Sequence, residues 1–365
     1  MHKNKHKKVC IISTSLAKGG AERSSAQLSK MLSELDYEVH IVTVISEIDF
    51  DYNGTLLDLG KLKNNSNSSK NQIERFLALR AYIKNHKFDV IIDNRTRIEG
   101  LKELMISKFL YTVKTVYVIH SHETSLTFPK TKWLNKLIYQ NVQMTAVSKA
   151  IKSKFQSLYK LKNVETIYNG FDFEDIRLKS ETEIELPEGD FILFYGRLDA
   201  YQKNIGLLLD AYKASKLPGK NIRLVILGDG PDKADLKQYV FDQTISDYVI
   251  FKAYTKNPYP FVKAAKFVVL SSRFEGFPMV IPETLSLGIP VLSVDCESGP
   301  SEVITNEHNG LLVENHNSKA LAEGMNRLIS DHELLKYCSE NASDSVKQFD
   351  SKSIAQQWHN LLQKL

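Results

Sequence analysis

The chain has 365 residues, of which 42% are hydrophobic and 25% charged, and it carries a formal net charge of +5. Such a length exceeds what one core usually organises, so two domains of roughly 170 residues are expected in a soluble globular protein. The absence of any run of about 18 apolar residues excludes a membrane-spanning helix, and three scattered cysteines, Cys10, Cys296 and Cys338, read as reduced structural thiols, not as a disulfide framework or metal ligands.

The basic start MHKNKHKK runs into VCIISTS, too short and strand-like for the apolar region of a signal peptide, so the protein is expected to stay in the cytosol. Val9 to Ser13 reads as the first strand and Ala21 to Leu35 as the first helix, joined by Ala17-Lys18-Gly19-Gly20. Glycines at such a junction let backbone approach a phosphate closely, although the spacing does not fit G-x-G-x-x-G. The strand Glu38 to Ile45, a helix from Gln72 to Asn85, the strand Val90 to Asp93, a helix from Glu99 to Leu110 and the strand Thr115 to His120 continue the alternation, which is βαβ order. The polar segment NNSNSSK, Asn64 to Lys70, reads as a mobile loop or a surface insertion. His120 and His122 close the strand TVYVIH at its C-terminal mouth, where a histidine is either structural or in contact with a ligand. Val142 to Val147 and Val164 to Ile167 read as the last strands of this half. Up to Asp175 there are 27 Lys and Arg against 18 Asp and Glu, leaving 21 against 25 for the rest. A basic amino-terminal half suits an anionic partner, or is simply a solvated surface.

Ile176 to Gly189 carries many charges and Pro187, lacks an apolar period, and reads as the linker. Beyond it the strands Phe191 to Tyr195, Arg223 to Leu227, Val249 to Lys252, Phe267 to Leu270 and Val291 to Val294 each precede a helical pattern. Arg197 and Lys203 flank the exit of the first of these. Arg197 can grip phosphate oxygens as a fork and Lys203 can add a point charge, which a departing diphosphate needs where no metal neutralises it. After Leu270 a Gly-containing turn carries Glu275, and a helix from Met279 to Gly288 carries Glu283. Both acids can face the mouth of the sheet, where ligands of open α/β sheets bind. The backbone through Gly276, Phe277, Pro278, Met279 and Val280 lies near the helix start, where amides lack intrahelical partners. A carboxylate that accepts two vicinal hydroxyls can hold a ribose or a hexose, and two can hold both ends of a nucleotide-sugar. Taken singly, each of these residues also fits an ordinary solvated helix end. Ser351 to Leu365 has Ile354, Trp358, Leu361 and Leu362 on one helical face.

The combination of Gly196-Arg197, Lys203, GDGP from Gly228 to Pro231, EGFP from Glu275 to Pro278, Glu283, Gly288 to Val291, and Asp295 to Glu302 resembles the retaining glycosyltransferases of family 4. The likeness is dense over Phe191 to Val313 and thinner before it. It implies the α/β GT-B fold, two Rossmann-like parallel-sheet domains facing across a cleft. The acceptor-side domain would span 1–175, the linker 176–189 and the nucleotide-sugar domain 190–350, with the helix of 351–365 crossing back to the first domain. It implies retaining, metal-independent transfer of a hexose or N-acetylhexosamine from a UDP-sugar to a glycan or lipid-linked acceptor, in assembly of O-antigen, capsule or lipid-linked oligosaccharide. No cofactor is implied beyond the nucleotide-sugar donor. Gly19 and Gly20 would then face the diphosphate with Arg197 and Lys203, and Glu22 or Arg23 the acceptor. His120, with His122 in reserve, would touch the donor sugar near its reacting carbon. Gly228 and the stretch from Glu275 to Val280 would line the donor, Glu275 would position the sugar, and Glu283 would hold the ribose. An anionic membrane surface is the implied docking partner of the basic half, on the inner face of the cell membrane.

Four other readings compete. A UDP-sugar epimerase can share the two-domain plan, and a non-catalytic sugar-nucleotide sensor would keep only part of the Arg, Lys, Glu, Glu set. Nucleic-acid binding rests on charge alone, without an aromatic and basic platform, and is not expected. A metal-dependent transferase would use an Asp-x-Asp such as Asp49-Phe50-Asp51, which stands in an early loop of the first half.

Overall fold

A computed structural model describes residues 7–64 and 68–365. It divides into two units, one running to Gly170 and taking back Ser351–Leu365, the other spanning Phe171–Asp350. Lys3, Lys5 and residues 65–67 of the NNSNSSK stretch lie outside the described residues, while Ser69 and Lys70 open the helix Ser69–His86.

Among the described residues, the first unit is built on a parallel sheet of β1 (Lys8–Ser13), β2 (Glu38–Thr43), β3 (Thr55–Asp58), β4 (Val90–Asp93), β5 (Lys114–Ile119), β6 (Gln143–Ala146) and β7 (Asn163–Thr166), in the order β3-β2-β1-β4-β5-β6-β7. Val9, Cys10, Ile11 and Ile12 are all buried. An unbroken apolar run is what a strand covered on both faces requires. Right-handed crossovers put the helix Gly20–Glu34 on one face of this sheet, where the helix Ser351–Lys364 packs against it. The same rule puts the helices Ser69–His86, Gly100–Met105, Lys132–Tyr139 and Lys149–Tyr159 on the other. Ile354, Trp358, Leu361 and Leu362 are buried. The order reverses between β1 and β4, so the chain leaves their C-terminal ends in opposite directions and opens a crevice there.

The second unit repeats the plan with β8 (Phe191–Tyr195), β9 (Arg223–Leu227), β10 (Val249–Lys252), β11 (Val268–Leu270), β12 (Val291–Val294) and β13 (Gly310–Val313), ordered β10-β9-β8-β11-β12-β13. Its core runs through Ile192, Phe194, Leu208, Ile226, Val269, Leu292 and Met325. Here the reversal lies between β8 and β11.

Two edge strands, β3 and β13, are absent from the sequence reading. Each has four residues, and β3 is only half-buried, so neither presents a long apolar run. The linker assignment is corrected as well. Phe173–Ser180 is a helix of the second unit, with Asp172 accepting from the Asp175 amide at its start and Ile176 buried. It packs against the helix Tyr259–Ala264. Its surface is held by Arg177–Glu174 and Lys179–Asp175 pairs, and so much charge hides an apolar period from sequence inspection.

Candidate active site

In the second unit the reversal of strand order brings together two loops far apart in sequence, the one after β8 and the one after β11. Arg197 and Lys203 come from the first, Glu275 from the second. Lys203 Nζ lies 2.6 Å from Glu275 Oε1, with side-chain exposures of only 18% and 6%. Gln202 Nε2 approaches Glu275 Oε2 at 3.5 Å, and Ser271 Oγ donates to the Lys203 carbonyl at 2.9 Å. Arg273 ties the loops further. Its amide donates to the Gln202 carbonyl at 2.8 Å, and its Nη1 donates to the carbonyls of Ala200 and Tyr201 at 2.7 Å each. Arg197 sits at the edge of this lattice, its Nη2 3.5 Å from Gln202 Oε1. Its guanidinium is 59% exposed and reaches Asp199 Oδ2 at 2.6 Å.

Glu275 and Glu283 are both buried, which discards the reading of them as ordinary exposed helix-end acids. Tyr195, the last residue of β8, sets its Oη 3.2 Å from Glu283 Oε2 and from Thr284 Oγ1, and 3.0 Å from the Val280 carbonyl. A buried carboxylate needs such donors, since an unpaired one is expensive in a low-dielectric interior. The helix holding Glu283 is Val280–Ser286, and Gly288 ends it with a left-handed φ of +75°.

Two motif glycines are structural. Gly228 has φ +156°, and a Cβ there would lie 2.0 Å from the Gly196 carbonyl oxygen. The GDGP loop therefore supports the Arg197 loop from beneath, with the Leu198 amide donating to the Asp229 carbonyl at 2.8 Å. Gly299, at φ +104°, lets Pro278 approach so closely that a Cβ would lie 2.3 Å from its Cδ. Ser298 Oγ also donates to the Gly276 carbonyl at 2.8 Å, so Asp295 to Pro300 buttresses the EGFP turn.

Several expected ligand contacts are revised. Phe277 is a core residue, edge-on to Phe349 at 5.2 Å between ring centroids, and the Pro278 side chain is buried against Gly299. Only the backbone of these two can meet a ligand. The Gly228 backbone packs on Gly196 as described. Lys203, expected to add a point charge at the diphosphate, is also the counter-ion of Glu275. Met279 and Val280 are half-buried at the start of the helix Val280–Ser286.

In the first unit Gly19 and Gly20 begin the helix Gly20–Glu34 at the crevice between β1 and β4. The Glu22 carboxylate folds back over Gly19, where an added Cβ would lie 2.0 Å from Oε2. An anion can reach the Gly19 backbone only if Glu22 moves. His120 follows β5, and its Nε2 lies 3.0 Å from Asn94 Oδ1. Asn94 Nδ2 donates to Ser25 Oγ at 2.9 Å, and Ser25 donates to the Ala21 carbonyl at 2.9 Å. The terminal carbonyl can only accept, so every donor in the chain is assigned: His120 carries its proton on Nε2 and offers Nδ1 as an acceptor. Burial, with a smaller contribution from the Arg97 charge, pushes the His120 imidazole down to about 3, so it is neutral. His122 is buried with its Nδ1 3.1 Å from Lys154 Nζ. Lys7 donates to the Leu362 carbonyl and Lys8 pairs with Glu38, so both serve the fold.

Sequence reading missed Tyr195 and Asn94, which hold other side chains, and Arg273, which holds the backbone of the neighbouring loop. It also missed a buried lattice beside His120. Asp93 accepts from Arg95 Nε at 3.0 Å and Nη2 at 2.8 Å, Arg95 reaches Glu103 at 3.1 Å, and Tyr111 donates to Asp93 at 3.1 Å. Arg97, 1% exposed, lies among the rings of Tyr117, Phe128 and Tyr139 at 5.5–5.9 Å. Burial pushes the Asp93 carboxyl up, but Arg95 and Arg97 outweigh it and hold the pKa below the ordinary value. The only sequence signal was two arginines directly after a buried strand. Among the described residues, no group of three His, Cys, Asp or Glu side chains could hold a metal ion.

Two doubly wound parallel sheets, one with a Lys203–Glu275 pair and an exposed arginine at its switch point, define a two-domain α/β protein. Residues 18–175 match the family model for Glycosyltransferase Family 4, and residues 177–345 match that for Glycosyl transferases group 1. The chain belongs to the glycosyltransferases of the GT-B fold. It is 28% identical over 369 residues to a Campylobacter jejuni N-acetylgalactosamine-N,N'-diacetylbacillosaminyl-diphospho-undecaprenol 4-alpha-N-acetylgalactosaminyltransferase, covering 95% of this chain and 97% of that one. It is 25% identical over 347 residues to the amylovoran biosynthesis glycosyltransferase AmsD of Erwinia amylovora, covering 94% and 96%. Among solved structures, TarM of S. aureus superposes with a TM-score of 0.78 at 16% identity, over 99% of this chain and 100% of that one. Anabaena Alr3699/HepE in complex with UDP and glucose gives 0.76 at 20%, over 99% and 100%. At these identities the likeness is one of fold.

Proposed function

We propose that the protein is a retaining, metal-independent glycosyltransferase that moves a hexose or N-acetylhexosamine from a UDP-sugar to a hydroxyl of a lipid-linked glycan acceptor during surface polysaccharide assembly. The observation that carries this reading is the buried Lys203–Glu275 pair beside an exposed, reorientable Arg197. The relatives named above support the acceptor class, one acting on a diphospho-undecaprenol glycan and one in amylovoran biosynthesis. The neighbour that holds UDP and glucose supports the donor.

The site's chemistry follows from its charges. Glu283, fixed by Tyr195, accepts the ribose hydroxyls. Glu275 accepts hydroxyls of the sugar while Lys203, paired with it, turns its remaining ammonium hydrogens toward the diphosphate. Arg197 leaves Asp199 for the phosphate oxygens and spreads the charge that develops as the anomeric C–O bond breaks. The acceptor oxygen bonds to the anomeric carbon on the face the diphosphate leaves, and the acceptor proton passes to a phosphate oxygen. His120 Nδ1 takes a hydrogen bond from a sugar hydroxyl. These cations do the neutralising work a metal would otherwise do.

Thermal shift against UDP-, GDP- and ADP-sugars in EDTA, followed by transfer to membrane extract, tests the reading. A UDP-selective shift with a radiolabelled lipid product is expected. A free epimer or sugar released without acceptor would replace transfer with epimerisation or hydrolysis, and a shift that requires manganese would overturn metal independence.

A further inference from the structure

We infer that Asn94 is a positioning residue that makes His120 an obligate hydrogen-bond acceptor, and so restricts the donor to sugars that present a hydroxyl proton to it. The inference rests on the contact proposed above between His120 and the sugar. Asn94 directly follows β4, and its backbone amide donates to the Ile12 carbonyl of β1 at 2.8 Å. It is buried, so the strands fix its side chain before any ligand arrives.

A side-chain amide can face a histidine with its oxygen or with its nitrogen, and here Ser25 decides which. Ser25 lies on the helix Gly20–Glu34 and gives its one hydroxyl proton to the Ala21 carbonyl at 2.9 Å, so it meets Asn94 with a lone pair. Asn94 Nδ2 therefore points to Ser25 Oγ, at 2.9 Å, and Oδ1 to His120 Nε2, at 3.0 Å. The chain runs one way.

A carboxylate in place of the Asn94 amide would hold the ring as an imidazolium and put a second proton on Nδ1. The amide stabilises no such charge. Among the described residues no carboxylate pairs with His120, and the neighbouring Asp93 carboxylate is held by Arg95 and Tyr111. The Arg97 guanidinium, fastened to the carbonyls of Asp93, Arg95 and Val118, repels a second cation beside it. Nδ1 is left with a lone pair and takes a proton donor only. A hydroxyl satisfies it by turning its hydrogen, whereas fluorine or a carboxylate at the same place sets lone pair against lone pair.

Asn94→Asp changes the chemistry of this contact at constant shape. Ser25 turns its hydroxyl to the new carboxylate, His120 becomes an imidazolium, and Nδ1 becomes a donor. Dissociation constants, and kcat/KM where sugar is transferred, are measured for UDP-glucose, UDP-galactose and their analogues with fluorine at each hydroxyl-bearing carbon in turn. At one carbon, fluorine should weaken the wild type about 30-fold more than Asn94→Asp, the worth of one hydrogen bond to a charged group, and at the others the two proteins should agree. Long-range nitrogen–proton spectra, with the His120 signal assigned through His120→Asn, should show the proton on Nε2 in the wild type and on both nitrogens in Asn94→Asp. Ser25→Ala frees the amide to turn and should give a mixture of tautomers. A wild-type ring protonated on Nδ1, or fluorine penalties alike at every carbon in a folded Asn94→Asp, would overturn the proposal. If Asn94→Asp fails to fold, a Ser25→Ala ring that keeps one tautomer would overturn it in its place. Fluorine selectivity in binding, with no transfer to any acceptor, would overturn the transfer reading and leave the role of Asn94 standing.

Discussion

The Lys203–Glu275 pair concentrates the account at the scale of single residues. Removing one partner of a buried ion pair leaves a desolvated charge, so Lys203→Ala should cost about 3 kcal/mol of stability as well as about 100-fold in transfer. Lys203→Ala with Glu275→Ala should regain part of the stability and none of the activity. Urea unfolding alongside a transfer assay separates the two, and a Lys203→Ala protein as stable as the wild type would remove the pair from the account. His120 gives a pH prediction. Its folded pKa is depressed by burial and then by Arg97, so its neutral form favours folding fully above the unfolded value of about 6.5, and this contribution is lost as pH falls toward about 3. Between pH 6.5 and 5 the loss should approach about 2 kcal/mol, less to the extent that the part-exposed ring keeps some hydration. Melting temperatures across that window should fall more steeply in the wild type than in His120→Asn, and parallel curves would contradict the assigned environment.

At the scale of elements, the loops after β8 and β9 stand or fall together. Gly228→Ala places a methyl 2.0 Å from the Gly196 carbonyl at φ +156°, and should cost about 3 kcal/mol or more while weakening UDP binding, because Arg197 follows Gly196 directly. Gly206 is the control: it lies within the helix Ile205–Ala214, and nothing is within 4 Å of an added Cβ. Gly206→Ala should stabilise by up to about 1 kcal/mol. Denaturant titration of both checks the contrast, and similar effects from the two would refute the supporting role of GDGP. These elements also show what a sequence displays. Val9–Ile12 and Phe191–Tyr195 are apolar runs long enough to declare buried strands, and GDGP, EGFP and Glu283 were legible because motif spacing fixes them along the chain. β3, β13 and Phe173–Ser180 were not, since short edges and a charged helix surface carry no period. The pairing of Lys203 with Glu275 depends on strand order, which spacing does not encode. Tyr195, Arg273 and Asn94 act on neighbours brought close only by that order, and Phe277 passed for a ligand contact because its motif does not reveal which way the ring turns.

At the scale of the whole molecule, each unit has its own sheet and core, and the proposed donor contacts of Arg197, Lys203, Glu275 and Glu283 all fall in the second. UDP at 100 times its Kd should therefore stabilise that unit by about 2.7 kcal/mol. Hydrogen exchange resolved by peptide should show protection over 196–204 and 271–284. Protection confined to the first unit would place the nucleotide elsewhere. Charge is divided differently: up to Asp175 cations exceed anions 27 to 18, and beyond it anions prevail 25 to 21.

The most direct measurement is the anomeric configuration and metal dependence of the transferred sugar, followed by nuclear magnetic resonance with a UDP-sugar and a lipid-linked acceptor in EDTA. The account predicts a product with the donor's own anomeric configuration, formed at a rate unchanged by EDTA and about 100-fold slower in Arg197→Ala. An inverted product, or a rate that EDTA abolishes and manganese restores, would contradict it.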